Sequence, residues 1–174
     1  MPFLLESLWA AENGADIILW MPDRHIYMEN MNINILQPSD VNETIAKQVK
    51  DLFSQLNPSI EQVNLAEVFK PENNITFAYC MDTGTNTVVG IALMCAYTVV
   101  SGHKGWVEDV VVDKACRGRG IGRKLMEILV EEGRKKGLSE ILLFSADKRI
   151  EAIGLYKSLG FQQKESRIYV LKTS

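Results

Sequence analysis

The chain has 174 residues, 47% of them apolar and 24% charged, a composition that points to one soluble domain with a single core. A formal net charge of −3 offers no electrostatic footprint for nucleic acid, and no apolar run is long enough to cross a bilayer. The three cysteines, Cys80, Cys95 and Cys116, lack metal-ligand spacing, so no bound metal and reduced thiols in a cytoplasmic protein are the expectation.

Residues 1–30 read as an N-terminal extension. LLESLWAAENG has the pattern of a short helix stopped at Gly14, DIILW that of a short strand ending before Pro22, and neither joins a larger pattern. Met28 and Met31 each stand where a chain start just before NINILQPSD would fall. The N-terminus lacks the basic segment, apolar stretch and cleavage site of a secretory leader. The domain itself is expected over residues 31–174. NINIL is a short strand, and PSD supplies a turn and N-cap for a helix from about Val41 to Leu56. A second helical stretch, IEQVNLAEVFK, stops at Pro71.

ITFAYCMD and TVVGIALMCAYTVV, joined by TGTN, form a hairpin signal. After the loop SGHKG comes the strand GWVEDVVVD, then the turn RGRGIG and a helix with Ile121, Leu125, Ile128 and Leu129 on its buried stripe. EILLFSA is an apolar strand, EAIGLYKSLGF a short helix with a glycine stop, and RIYVLK a closing strand. This order predicts a mixed α/β sheet, mostly antiparallel, of about six to seven strands flanked by helices.

The turn from Arg117 to Gly122 carries the first chemical signal. A helix N-terminus exposes unpaired N–H groups and partial positive charge, glycine lets a ligand approach the backbone, and Arg117 and Arg119 add cations. Together these suit a phosphate or pyrophosphate. The Gly-Lys-Ser/Thr of a nucleoside-triphosphate loop is absent. Gly118, Gly120 and Gly122 fall one residue short of the dinucleotide spacing, and the turn follows a late strand rather than the first. Asp147, closing the next strand, is the one acid that keeps a dinucleotide reading open.

Arg117-Gly118-Arg119-Gly120-Ile121-Gly122 resembles the Arg/Gln-x-x-Gly-x-Gly/Ala signature of the Gcn5-related N-acetyltransferases. VEDVVVD is similar to that family's central strand, and AIGLYKSLGF to its A-x-x-L-Y-x-x-x-G-F segment. The order of elements from Asn32 onward also fits. The resemblance implies that the RGRGIG main chain cradles the pyrophosphate of acetyl-coenzyme A, the co-substrate, and that Val110, Val111 and Val112 pair with the pantetheine arm through their backbone. It implies an N-acetyltransferase acting by direct transfer to a primary amine, with a small molecule as partner and a homodimer left open. A peptide acetyltransferase, a coenzyme A-binding module without turnover and, last, a dinucleotide oxidoreductase are the alternatives.

Transfer to an amine needs a base, because a protonated amine has no lone pair. The resemblance assigns that role to Glu108, with Asp109 as the fallback. By strand alternation Glu108 shares a face with Val110 and Val112, and Asp109 points the other way. Tyr156 matches the family tyrosine that protonates the leaving thiolate. Where many members carry Asn, three residues before Ala152, this chain has Arg149, which is expected to meet a cofactor phosphate or an anionic substrate. Cys116 raises the rival of an acyl-cysteine, but the pantetheine arm holds the thioester ~14 Å from the phosphates, as far as about four extended residues reach. His103 reads as a solvated loop residue or part of an acceptor pocket.

Overall fold

The computed structural model describes residues 29–173, so the helix and strand expected within residues 1–28 lie outside the described residues. Five strands form one sheet in sequence order: β1 (Met31–Ile35), β2 (Ile75–Asp82), β3 (Thr87–Val99), β4 (Gly102–Val112) and β5 (Glu140–Leu143). The first four are antiparallel neighbours, and β5 joins β4 in parallel. The helices are α1 (Glu43–Phe53), the single turn α2 (Leu65–Val68), α3 (Ile121–Lys135) and α4 (Ile150–Ser158).

Local chemistry sets most boundaries. Asn42 caps α1 by accepting the Ile45 N–H, and the β2–β3 hairpin turns through Asn86 in the left-handed region. Residues 60–64, expected in a second helix, are not helical. Gln62 donates to the Lys50 carbonyl and Ser54 Oγ, and Asn64 accepts the Ala66 N–H at 2.8 Å. These side chains hold the stretch against α1 and start the helix late, so only one turn forms. Strand β4 begins at Gly102 (φ +131°), which places His103 on the strand rather than in a loop, bonded to Thr98 at 2.9 Å.

The sheet is covered on both faces. One face packs against α3 through Ala78, Cys80, Ala92, Met94 and Val107, with Ile121, Leu125, Met126 and Leu129 on the helix side. The other packs against α1 and α2 through Phe77, Val88, Ile91, Leu93 and Val111, facing Val49, Leu52 and Leu65. The buried stripe of α3 is the one read from the sequence, with Ile128 at its margin.

The described residues hold five strands rather than the expected six to seven. The missing one is RIYVLK. Arg167–Lys172 forms no ladder, and Tyr169 and Leu171 are each 87% exposed. The physical reason is its pattern: a run apolar on both faces suits a strand covered on both sides, and a position on the rim of this sheet does not provide that cover.

Candidate active site

Strands β4 and β5 pair from Lys104–Glu140 to Val107–Leu143 and then separate. Beyond Val107, β4 continues to Val112 with its other edge still on β3, so the edge from Glu108 onward has no neighbouring strand among the described residues. A cleft of about 240 Å³ opens at the fork. Glu108, Asp109 and Val110 line it from β4, Phe144 from the end of β5, and Arg149 and Tyr156 from α4. Phe53, Leu56, Asn57 and Ile60 form the opposite wall.

A β-bulge governs which side chains reach this cleft. Leu93 pairs with Glu108 and Ile91 with Val111, so Asp109 and Val110 together oppose Ala92. Asp109 takes φ +51° to make the extra step. The alternation expected from sequence is therefore broken. Glu108 lies on the α1 face with its partner Leu93, whereas Val107, Val110 and Val112 pack toward α3. Glu108 and Val110 do not share a face, because the bulge inserts one residue between them.

The Glu108 carboxylate is exposed at the cleft and accepts a 2.7 Å hydrogen bond from the Trp106 indole. Phe144 packs edge-on against that indole at 4.5 Å between ring centroids. Asp109 is half-buried, and its pKa is raised, first by burial and then by the charge of Glu108. Folding thus favours its protonated form. The resulting cost is absent at acidic pH, sets in as pH rises past the unfolded carboxylate value, and is complete above the folded one. Asparagine tolerates the left-handed region and carries no charge. Asp109→Asn is accordingly expected to raise the melting temperature at neutral pH, with the gain disappearing at acidic pH. Thermal melts of both proteins across a pH series check this.

Tyr156 lies in the cleft, with its ring edge-on to Phe161. Burial pushes its pKa up, against a smaller opposing effect of Arg149, so the hydroxyl keeps its proton. Arg149 stands at the N-cap of α4 and lines the same cleft, next to Tyr156 rather than at the glycine turn.

The glycine turn lies at the far end of β4. Gly120 is the N-cap of α3, with φ +86°, and contributes no side-chain cap, which leaves the first N–H groups of the helix open. A Cβ at Gly118 or Gly120 would meet nothing within 4 Å, so both face open space. Arg117 donates through Nε to the Val112 carbonyl at 3.2 Å, and Arg119 to the Ala115 carbonyl at 3.3 Å. Gln55, just past α1, bonds Asp113 at 2.7 Å and accepts the Lys114 N–H, fixing the approach to the turn. The turn ends at Ile121, which is buried, and Gly122, where a Cβ would make ordinary contacts with Leu155 and Val112. An uncapped helix start flanked by two arginines has the chemistry that suits an anion such as pyrophosphate.

Cys116 is buried, and its thiol is pushed up by burial despite the opposing charge of Arg119. His103 is not among the residues lining the cleft. Trp106 and the wall supplied by the end of α1 and the stretch after it are not among the site residues expected from the sequence. Trp106, two residues before Glu108, was recoverable from period-two spacing. The wall comes from a segment some fifty residues away, and no local pattern announces it.

Comparison with known proteins bears on this arrangement. Residues 44–161 match the model of the acetyltransferase (GNAT) family. The glucosamine 6-phosphate N-acetyltransferase of Trypanosoma brucei brucei is 27% identical over 146 residues, covering 80% of this chain and 94% of that protein. The IAA acetyltransferase of Azospirillum brasilense is 30% identical over 138 residues, 76% of this chain and 86% of its own length. The crystal structure of a Trypanosoma brucei acetyltransferase superposes with a TM-score of 0.69 at 24% identity, over 82% of this chain and 99% of that one.

Proposed function

The chain belongs to the acetyltransferase (GNAT) family, and from that premise we propose that it transfers an acetyl group from acetyl-coenzyme A directly to a primary amine of a small molecule. The observation that carries the reading is the fork between β4 and β5. Among the described residues it leaves an unpaired backbone edge running from two carboxylates and a tyrosine at one end to an uncapped helix start at the other. The named relatives that act on small molecules support the choice of acceptor class.

Acetyl-coenzyme A supplies the activated thioester. The main chain from Arg117 to Gly122, with the guanidinium of Arg117, holds the phosphates. The edge of Val110, Val111 and Val112 pairs with the pantetheine arm, and its N–H groups face the developing oxyanion. Glu108, held by the Trp106 indole, takes the amine proton. Arg149 balances charge at the cleft wall. Tyr156, kept protonated by its burial, donates to the leaving sulfur.

Two consequences arise at once. Tyr156→Phe should lower kcat by ~10², the lower end of the range for acid–base catalysis, with coenzyme A affinity unchanged. Steady-state kinetics beside a binding titration checks it, and an unaltered kcat would remove the tyrosine from the mechanism. Cys116→Ala should leave turnover within a few-fold, because direct transfer needs no protein nucleophile and this thiol is buried. Mass spectrometry of the enzyme quenched during turnover should find no acetylated Cys116.

The test of the function itself is a thiol-release screen over amino sugars, aminophosphonates, polyamines, amino acids and peptide N-termini. Turnover with a small amine supports the proposal. Turnover confined to peptides would move the acceptor class, and tight coenzyme A binding with no turnover at all would make the chain a binding module.

A further inference from the structure

Two opposite charges line the cleft without meeting. Glu108 and Arg149 both border the same space of about 240 Å³, yet they form no ion pair among the described residues, and the bond Glu108 does make is to the neutral Trp106 indole. That volume lies below the ~300–1,000 Å³ usual for ligand pockets, so the acceptor is small.

Helix α4 gives no reason of its own for an arginine at residue 149. The N-cap is the positive end of a helix, where a cation is unfavourable, and Arg149 makes no side-chain cap bond there. Arg149 is exposed, and no carboxylate pairs with it among the described residues. Its charge acts on the Tyr156 hydroxyl, so it stands at the acyl-transfer end of the cleft and not at the phosphates.

Much of the remaining wall is apolar. Phe53, Ile60 and Phe144 border the same space, and Ile60 and Phe144 are 52% and 46% exposed. An apolar group entering between them takes that surface out of water. A phosphate does not suit the charge present. It brings about two negative charges, and the residues lining the cleft offer one cation against two carboxylates, Glu108 and Asp109.

Given the amine transfer proposed above, we propose that the acceptor is an α-amino acid with an apolar side chain, its amine at Glu108, its carboxylate on Arg149 and its side chain against Ile60 and Phe144. A ligand with one charge of each sign satisfies both unpaired groups, and a guanidinium matches a carboxylate through two parallel bonds. The acceptor ammonium gives up two protons, one to Glu108 and one to solvent. Its nitrogen bonds the acetyl carbon as the carbon–sulfur bond breaks, and the thiolate takes the Tyr156 proton, which solvent replaces.

The experiment is steady-state kinetics of the full chain with L-leucine, L-leucinamide, glycine and D-glucosamine 6-phosphate as acceptors. Leucinamide keeps the shape of leucine, loses the negative charge and holds an amine that is easier to deprotonate. L-leucine should nonetheless exceed it in kcat/KM by about tenfold or more, the smaller end of what a charged hydrogen bond is worth, and should exceed the other two as well. Arg149→Gln should erase the margin over leucinamide, and Ile60→Asp the margin over glycine. Both residues are exposed, so neither change disturbs a core. Calorimetric titration of the coenzyme A-loaded protein with leucine and leucinamide makes the same comparison without turnover. Equal kcat/KM for that pair would overturn the proposal, as would a margin unchanged by Arg149→Gln, or D-glucosamine 6-phosphate as the best acceptor. In each of those cases the amine transfer itself stands. No turnover of any amine, with no leucine bound by the loaded protein, would end both.

Discussion

Glu108→Gln is expected to lower kcat by ~10²–10⁴, the range for loss of a general base. Glutamine keeps the length of the side chain and can still accept from the Trp106 indole, so the cleft wall keeps its shape. Only the capacity to take a proton is lost. Raising the pH should restore part of the rate, because solvent then deprotonates more of the amine. Tyr156→Phe should show no such rescue, since its proton goes to the sulfur. A pH–rate profile of the glutamine variant indistinguishable from the parent would transfer the role to Asp109, whose raised pKa also suits a base. Asp109→Asn would then carry the large loss.

Gly120→Val is expected to raise the KM for acetyl-coenzyme A by about tenfold or more, from the ~1–2 kcal/mol that an L side chain costs in the left-handed region together with obstruction. Gly120 holds φ +86° at the N-cap of α3, and its missing Cβ faces open space. A branched side chain strains the turn and also occupies the approach to those donors. Gly122→Ala is the matched control. It sits inside the helix, and its Cβ would touch Leu155 and Val112 at ordinary distances of 3.5 and 3.6 Å. Coenzyme A titrations of the two variants should therefore separate sharply. Equal affinities would mean that the phosphates lie elsewhere.

The elements that proved legible are those whose signals are local. The hairpin through TGTN, the buried stripe of α3 and the glycine turn each rest on spacing within one segment. The second helix shrank because Asn64 and Gln62 divert backbone groups that a propensity reading assigns to helix. The facing of Glu108 departs from simple alternation for a different reason. Asp109 adopts a positive φ that aspartate tolerates but takes only occasionally, so its presence among strand-forming valines in VEDVVVD does not by itself mark the bulge. Spacing alone does not tell the three glycines apart, yet only Gly118 and Gly120 within the turn take positive φ. The closing strand failed because a strand is defined by a neighbour, and the neighbour is not supplied by the described part of one chain.

The bulge in β4 has the logic of a reading frame. Up to Glu108 the strand is read in one phase, and from Val110 in the other, with Asp109 as the inserted letter. Deleting that residue would not merely trim the strand. It would transpose everything on one side, turning the carboxylate toward α3 or the valines out of the core. The same single insertion therefore serves two tasks that a regular strand cannot combine. It lets an acid face the cleft from a strand whose following valines pack against the core, and it ties the position of that acid to the integrity of both cores.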